Sequence, residues 1–213
     1  MYPMGRARYV VAVTGGSGAA YGRRLLEVLA ESGATIHWTL SEAASKVAAH
    51  ELAIPLDLSD GPGCVRALLG QNPNNVTYHH YKDLEVPIAS GSYRTDGMVI
   101  CPCSGGTLGR IACGASSNLI ERAADVCLKE RRRLVLVPRE TPLSAIHLEN
   151  MLKLTHAGAV VLPASPGFYS ENDSVERLVD FVVSRVLDLL GIENSLMRRY
   201  GEPARRRHPE EEE

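Results

Sequence analysis

Arg139 and Glu140 stand between two signals that fix where they lie. Val135-Leu136-Val137-Pro138 before them reads as a buried strand, and Thr141-Pro142 after them as a helix start. A hydroxyl suits the cap of a helix and a proline its first turn. In an open α/β sheet, ligands bind beyond the C-terminal ends of the strands. The pair therefore offers a guanidinium for an anion and a carboxylate for proton transfer where chemistry is usually done.

Two further strand ends run into small-residue turns. Val10-Val11-Ala12-Val13 leads into Thr14-Gly15-Gly16-Ser17-Gly18-Ala19-Ala20-Tyr21-Gly22. Strand, glycine turn and helix together present backbone amides and a positive helix end to a phosphate. No Lys-Ser/Thr pair follows, so this is no Walker A loop, and glycines at 16, 18 and 22 miss the dinucleotide fingerprint. The second strand ends in Leu40-Ser41-Glu42, with no good acidic reader for a ribose. A mononucleotide such as FMN is favoured over a dinucleotide; alternatively, the glycines only permit tight packing. Met98-Val99-Ile100-Cys101-Pro102-Cys103 then feeds Ser104-Gly105-Gly106-Thr107, a second turn of hydroxyls and free amides, or a second packing turn.

Several cations need partners. Leu178, Val182 and Leu189 share a stripe of one apolar helix, and Arg185 falls inside it. A buried unpaired guanidinium is costly, so Arg185 either reaches the rim, forms a structural ion pair or binds a phosphate. Arg122 and Lys129, seven apart on another helix, either grip a dianion or form a solvated face. Tyr169 follows the last strand and is either a phosphate contact or a loop aromatic.

The elements that must carry these residues alternate regularly. Strands are expected at 8–13, 35–40, 76–78, 97–101, 134–137 and 159–162. Helices are expected near 18–31, 41–51, 63–70, 105–113, 118–130, 142–156 and 174–190. Such alternation predicts an α/β fold, a three-layer doubly wound parallel sheet of Rossmann/flavodoxin-like type. At 213 residues the chain suits a single domain. With 45% hydrophobic residues and a net charge of −2, no basic excess favours nucleic acid. No apolar run has membrane-spanning length and the first residues lack a signal-peptide core, which predicts a cytoplasmic protein. Five cysteines without a CxxC pair read as reduced, mostly buried thiols, and no metal is expected. The arginines and glutamates after Gly201 read as a charged tail.

Together these segments resemble the UbiX-type flavin prenyltransferases. The motifs are GGSGAAYG at 15–22, VPIASGSYRTDGMVICPCS at 86–104, NLIERAADVCLKERRRLVLVPRETPLS at 118–144, HLENMLKLTHAGAVVLPASPGFY at 147–169 and LVDFVVSRVLDLLGI at 178–192. The resemblance implies a flavodoxin-like fold related to flavin-containing cysteine decarboxylases. It implies residues 1–192 as the flavin-binding prenyltransferase domain and 193–213 as an extension. It implies joining a dimethylallyl group from dimethylallyl phosphate to N5 and C6 of reduced FMN, without metal. The prenylated FMN would serve a UbiD-type decarboxylase, as in ubiquinone biosynthesis, and the enzyme would be a trimer-based homododecamer with sites between subunits. Residue by residue, it implies Gly15, Gly16, Ser17, Ser41, Ser104, Gly105, Gly106, Thr107 and Arg139 for FMN, with Arg122 nearby. Ala89, Ser90 and Gly91 would line the prenyl pocket, and Lys129, Tyr169 and Arg185 would grip the donor's phosphate. Glu140, Glu51 and Ser17 would be the catalytic groups. Many relatives carry Met-Lys where this chain has Gly105-Gly106. The competing expectations are an FMN-dependent cysteine decarboxylase and a non-catalytic flavin carrier.

Overall fold

The computed structural model describes residues 6–168, 174–199 and 201. Among these, six parallel strands form one sheet: β1 (Arg8–Val13), β2 (Thr35–Leu40), β3 (Val76–Tyr78), β4 (Gly97–Cys103), β5 (Arg133–Pro138) and β6 (Val160–Val161). Their order is β3-β2-β1-β4-β5-β6. The helices are α1 (Ala19–Glu31), α2 (Glu42–Glu51), α3 (Gly61–Leu69), α4 (Gly105–Ala112), α5 (Leu119–Lys129), α6 (Ala145–His156) and α7 (Val175–Leu190).

The central strands are apolar on both faces, as a covered parallel sheet requires. Tyr9, Val11 and Val13 of β1 point to a core shared with α1, α2, α3 and α7. Val10 and Ala12 point the other way, to a core shared with α4, α5 and α6. The chain winds outward from β1 through β2 to β3, then returns to β4 and winds outward through β5 to β6. The direction reverses between β1 and β4, and that junction opens a crevice at the strands' C-terminal ends.

Side-chain oxygens start most helices. Ser41, Asp60, Ser104, Asn118, Ser144 and Ser174 each accept the amide of the residue three positions on. The sequence places a helix start at Thr141-Pro142, and the structure moves it to Ala145. Ser144 accepts the His147 amide at 3.2 Å while its own amide donates to His147 Nδ1 at 3.4 Å, a reciprocal box that outcompetes the upstream threonine. Strand β4 runs two residues beyond the expected 101 because a register shift between Ile100 and Cys103 absorbs Pro102.

On the α5 side of β2, His37 is buried; its Nδ1 shares a hydrogen bond with His79 Nε2 at 2.9 Å and its Nε2 with the Tyr93 hydroxyl at 2.8 Å. On α6, Ile146, Leu148 and Leu152 are 69%, 53% and 58% exposed, and Leu148 and Leu152, four apart, share an apolar face with nothing over it in the single chain.

Candidate functional site

The crevice is built by three strand ends pressed together. A Cβ on Gly15 would lie 2.6 Å from Ala43 Cβ, so the turn after β1 packs on the first turn of α2. A Cβ on Gly16 would lie 3.4 Å from Pro102 Cβ and 3.6 Å from Ser104 Cα, so it also touches the turn after β4. Thr14, 1% exposed, ties these turns: its hydroxyl donates to Pro102 O at 2.9 Å and accepts the Ser104 amide at 2.7 Å. The end of β5 joins them, with Arg139 Nε donating to Ser17 O at 3.3 Å. Glu140 is exposed beside it and accepts the Thr141 amide at 3.2 Å. Gly15, Gly16, Ser17, Ser41, Ser104, Gly105, Gly106, Thr107 and Arg139 thus lie around one sheet edge. The first amides of α4, at Gly105 and Gly106, have no acceptor within their own helix. Gly15 and Gly16 let these turns pack closely, and the Ser104 and Thr107 hydroxyls with the open end of α4 suit a flat heteroaromatic ring bearing a phosphate.

The other helix end at this crevice is already capped. Gly18 precedes α1 with φ 107 and offers no side chain. Glu51, the last residue of α2, supplies the anion instead: the Gly18 and Ala19 amides donate to its Oε2 at 2.9 and 2.8 Å. Burial pushes this carboxyl up, but the Ser17 hydroxyl, these amides and nearby Arg139 overcome that and hold it below the usual range. The amides that the sequence offers a phosphate at Gly18 and Ala19 are therefore taken by a carboxylate, which would repel a second anion there. Glu51 is ionised, so it can accept a proton or orient Ser17 but is a poor acid.

A second group lies elsewhere. Arg122 Nε donates to Ala89 O at 2.9 Å and its Nη1 to Asp125 at 2.9 Å. Lys129 pairs with Glu130, and a Cβ on Gly91 would lie 2.6 Å from Lys129 Nζ. Arg132 holds the same loop through Tyr93 O at 2.8 Å and Gly91 O at 2.5 Å. So Ala89, Ser90, Gly91, Arg122 and Lys129 gather along α5, and Arg122, expected near FMN, lies with this group instead. Lys129 sits near the start of β5, whereas Arg139 follows its end; that strand alone is about 20 Å long.

Arg185 belongs to neither group. The sequence sets it within the apolar stripe of its helix, but the buried stripe of α7 is Val179, Val182, Val183, Val186, Leu187 and Leu190. Leu178 and Leu189 only flank that stripe, and Arg185 is exposed on the opposite side. It donates to Asp188 Oδ2 at 3.1 Å, and Asp188 also receives Arg199 and Asn194. Helix α7 covers one face of the sheet and α5 the other, so Arg185 and Lys129 are separated by the sheet within one chain. Tyr169 lies outside the described residues.

Sequence reading missed Thr14 as the tie between turns and His147 as a site wall. His147 Nε2 would be 2.9 Å from a Cβ on Gly105, and its Nδ1 accepts an amide, so Nε2 carries the proton toward the first turn of α4. No sequence signal places α6 against α4. Of the free cysteines, Cys113 alone among the described residues is exposed; burial pushes Cys64 up to about 11 and Cys103 and Cys127 up to about 12. Among the described residues, no group of three or more His, Cys, Asp or Glu could hold a metal ion, and no helix is long and apolar enough to cross a membrane.

The model of the family described as Flavoprotein matches residues 2–187. A flavin prenyltransferase UbiX from Pseudomonas aeruginosa is 52% identical over 93% of this chain and 96% of its own. A crystal structure of AnUbiX (PadA1) in complex with FMN and dimethylallyl pyrophosphate superposes with a TM-score of 0.83 at 42% identity, covering 94% of this chain and all of that one. A dodecameric FMN-dependent Ubix-like decarboxylase from Escherichia coli O157:H7 gives a TM-score of 0.80 at 42% identity, over 92% of this chain and all of the other.

Proposed function

We propose, from the premise that this chain belongs to the Flavoprotein family and within it to the UbiX flavin prenyltransferases, that it joins a dimethylallyl group from dimethylallyl phosphate to N5 and C6 of reduced FMN. The observation that supports this reading is the convergence of the turns after β1, β4 and β5, tied through Thr14 and Arg139 beside the first amides of α4. FMN, when bound, supplies the nucleophilic N5 and the C6 carbon at which the new ring closes.

The chain's own residues do the rest. The turn at Gly15–Ser17, Ser41, the first turn of α4 and Arg139 hold the flavin. Ala89, Ser90 and Gly91 line a pocket for the five-carbon chain. Arg122, Lys129, Tyr169 and Arg185 hold the donor's phosphate and stabilise the charge that grows on it as the allylic C–O bond breaks. Glu140 delivers a proton to the departing phosphate. The proton lost at N5 on alkylation restores Glu140; at ring closure released phosphate, or ionised Glu51 through Ser17, takes the proton lost from C6, and one proton is returned to the prenyl double bond. Holding two substrates in line supplies much of the remaining acceleration.

Because α5 and α7 flank opposite faces of the sheet, a phosphate held by both Lys129 and Arg185 needs residues from more than one copy. The exposed apolar face of α6 gives copies a surface to bury, and a dodecamer of the kind named for the Escherichia coli neighbour is the proposed assembly. Residues 1–192 form the proposed catalytic domain. Prenylated FMN would pass in the cytoplasm to a UbiD-type decarboxylase.

The test is anaerobic incubation with reduced FMN and dimethylallyl phosphate, then mass spectrometry of the released flavin. A gain of one five-carbon unit, reduced about a hundredfold in rate by Glu140→Gln, is the expected result. Bound but unmodified FMN overturns the proposal.

A further inference from the structure

Glu121 is fully buried, and the reaction above does not use it. In the first turn of α5 it accepts from Arg110 Nε, from the Ser117 amide at 2.9 Å, from the Ser117 hydroxyl at 2.5 Å and from Asn118 Nδ2 at 2.8 Å. Burial pushes this carboxyl up, but Ser117 and Arg110 overcome that and hold it below the usual range, so it stays charged. A buried carboxylate is tolerated only with such a full set of donors.

Arg110 is what the carboxylate holds. Its guanidinium, on a side chain 50% exposed, reaches two ways: Nε to Glu121 and Nη2 to Thr107 Oγ1 at 3.3 Å. Thr107 is 4% exposed, and its Oγ1 also accepts from Ser104 Oγ at 3.1 Å. Two donors fill the two acceptor positions of a hydroxyl. The remaining Thr107 proton has no acceptor among the described residues, yet a buried hydroxyl is rarely left undonated.

We propose that Arg110, clamped by Glu121, is a positioning residue that fixes the Thr107 hydroxyl as a donor to an acceptor atom of the bound flavin. The inference rests on the flavin lying at the first turn of α4, as argued above. Without the guanidinium, the Thr107 hydroxyl is free to turn and donate back to Ser104, and the contact with the ring is lost. Lysine at 110 would keep charge opposite Glu121 but not the fork that reaches both acceptors.

The test titrates the full-length protein with FMN and reads flavin fluorescence and the visible absorption band. Thr107→Val should weaken binding about five- to tenfold, the effect of one hydrogen bond, and shift the band. Arg110→Ala should act in the same direction, and the two changes together should do no more than Thr107→Val alone. Should Arg110→Ala fail to fold, Arg110→Met with Glu121→Gln removes both charges at once and serves in its place. If Thr107→Val alters binding while the Arg110 variant binds FMN as the unchanged protein does, or if the two effects add in full, the positioning role is overturned. If Thr107→Val itself leaves affinity and spectrum unchanged, the placement of flavin at α4 falls, and this proposal with it.

Discussion

A carboxylate at the head of a helix is the chemistry of Glu51, and it bears on stability apart from any proposed role in catalysis. It caps α1, a helix whose own preceding residue is a glycine. Glu51→Gln should lower stability by about 1 kcal/mol, the worth of one charged cap, and calorimetry checks it. The carboxyl's folded pKa lies below its unfolded one, so its stabilising charge is present at neutral pH and is lost as the solution is acidified through the carboxylate range. The Glu51→Gln protein should lack that part of the acid sensitivity. At this scale the sequence was legible where a residue's position along its own strand or turn decides its place: Arg139, Glu140, Gly15, Gly16 and Ser104 all follow strand ends. It was not legible where a contact spans separate helices. Arg110 and Glu121 are eleven residues apart, and nothing local distinguishes them from surface charges. Arg185 shows a subtler limit. An assumed stripe through Leu178 and Leu189 is rotated from the one that packs, and that rotation turns an apparently buried cation into an exposed one.

Helices and strands carry their own test of the architecture. A Cβ on Gly22 would lie 2.5 Å from Cys101 O, so α1 lies against β4 with room for no side chain there. Backbone cannot give way as a flexible side chain can, and overpacking typically costs about 1–3 kcal/mol. Gly22→Ala should therefore lower the melting temperature despite alanine's better helix propensity; a rise would contradict this packing. The strands were legible because β1, β2, β4 and β5 are apolar runs closed by small or polar residues. Helix starts were legible where a lone serine or asparagine precedes the helix. They failed at Thr141-Pro142, because Ser144 and His147 form the better box and only their mutual geometry reveals it. Pro102 misled in the same way: a proline argues for a strand end, yet a register shift lets β4 continue past it.

The whole molecule keeps its proposed phosphate ligands on opposite sides of one sheet. Lys129→Ala and Arg185→Ala should each be inactive alone, and mixed assemblies of the two should recover measurable turnover, because an intact set then arises from different copies. Failure of every mixture to exceed the separate variants would place both residues of a site on one chain or remove one of them from it. Acid should strain the fold elsewhere, at the His37–His79–Tyr93 chain. Burial, then the charges of His79 and Arg8, press the His37 pKa from 6.5 down to about 4. The unfolded chain binds the proton more readily, so stability falls as pH drops from about 6.5 toward 4. The difference amounts to about 3 kcal/mol, and His37→Gln should flatten that stretch of a denaturation-against-pH curve. The threonine that joins the turns after β1 and β4 bears on time rather than energy. With one buried hydroxyl stapling both lips, the crevice exists before its occupant arrives, and no slow ordering step needs to precede docking. Stopped-flow mixing with FMN should then give a single exponential whose rate rises linearly with FMN concentration, whereas Thr14→Val should introduce a phase that no longer depends on how much FMN is present.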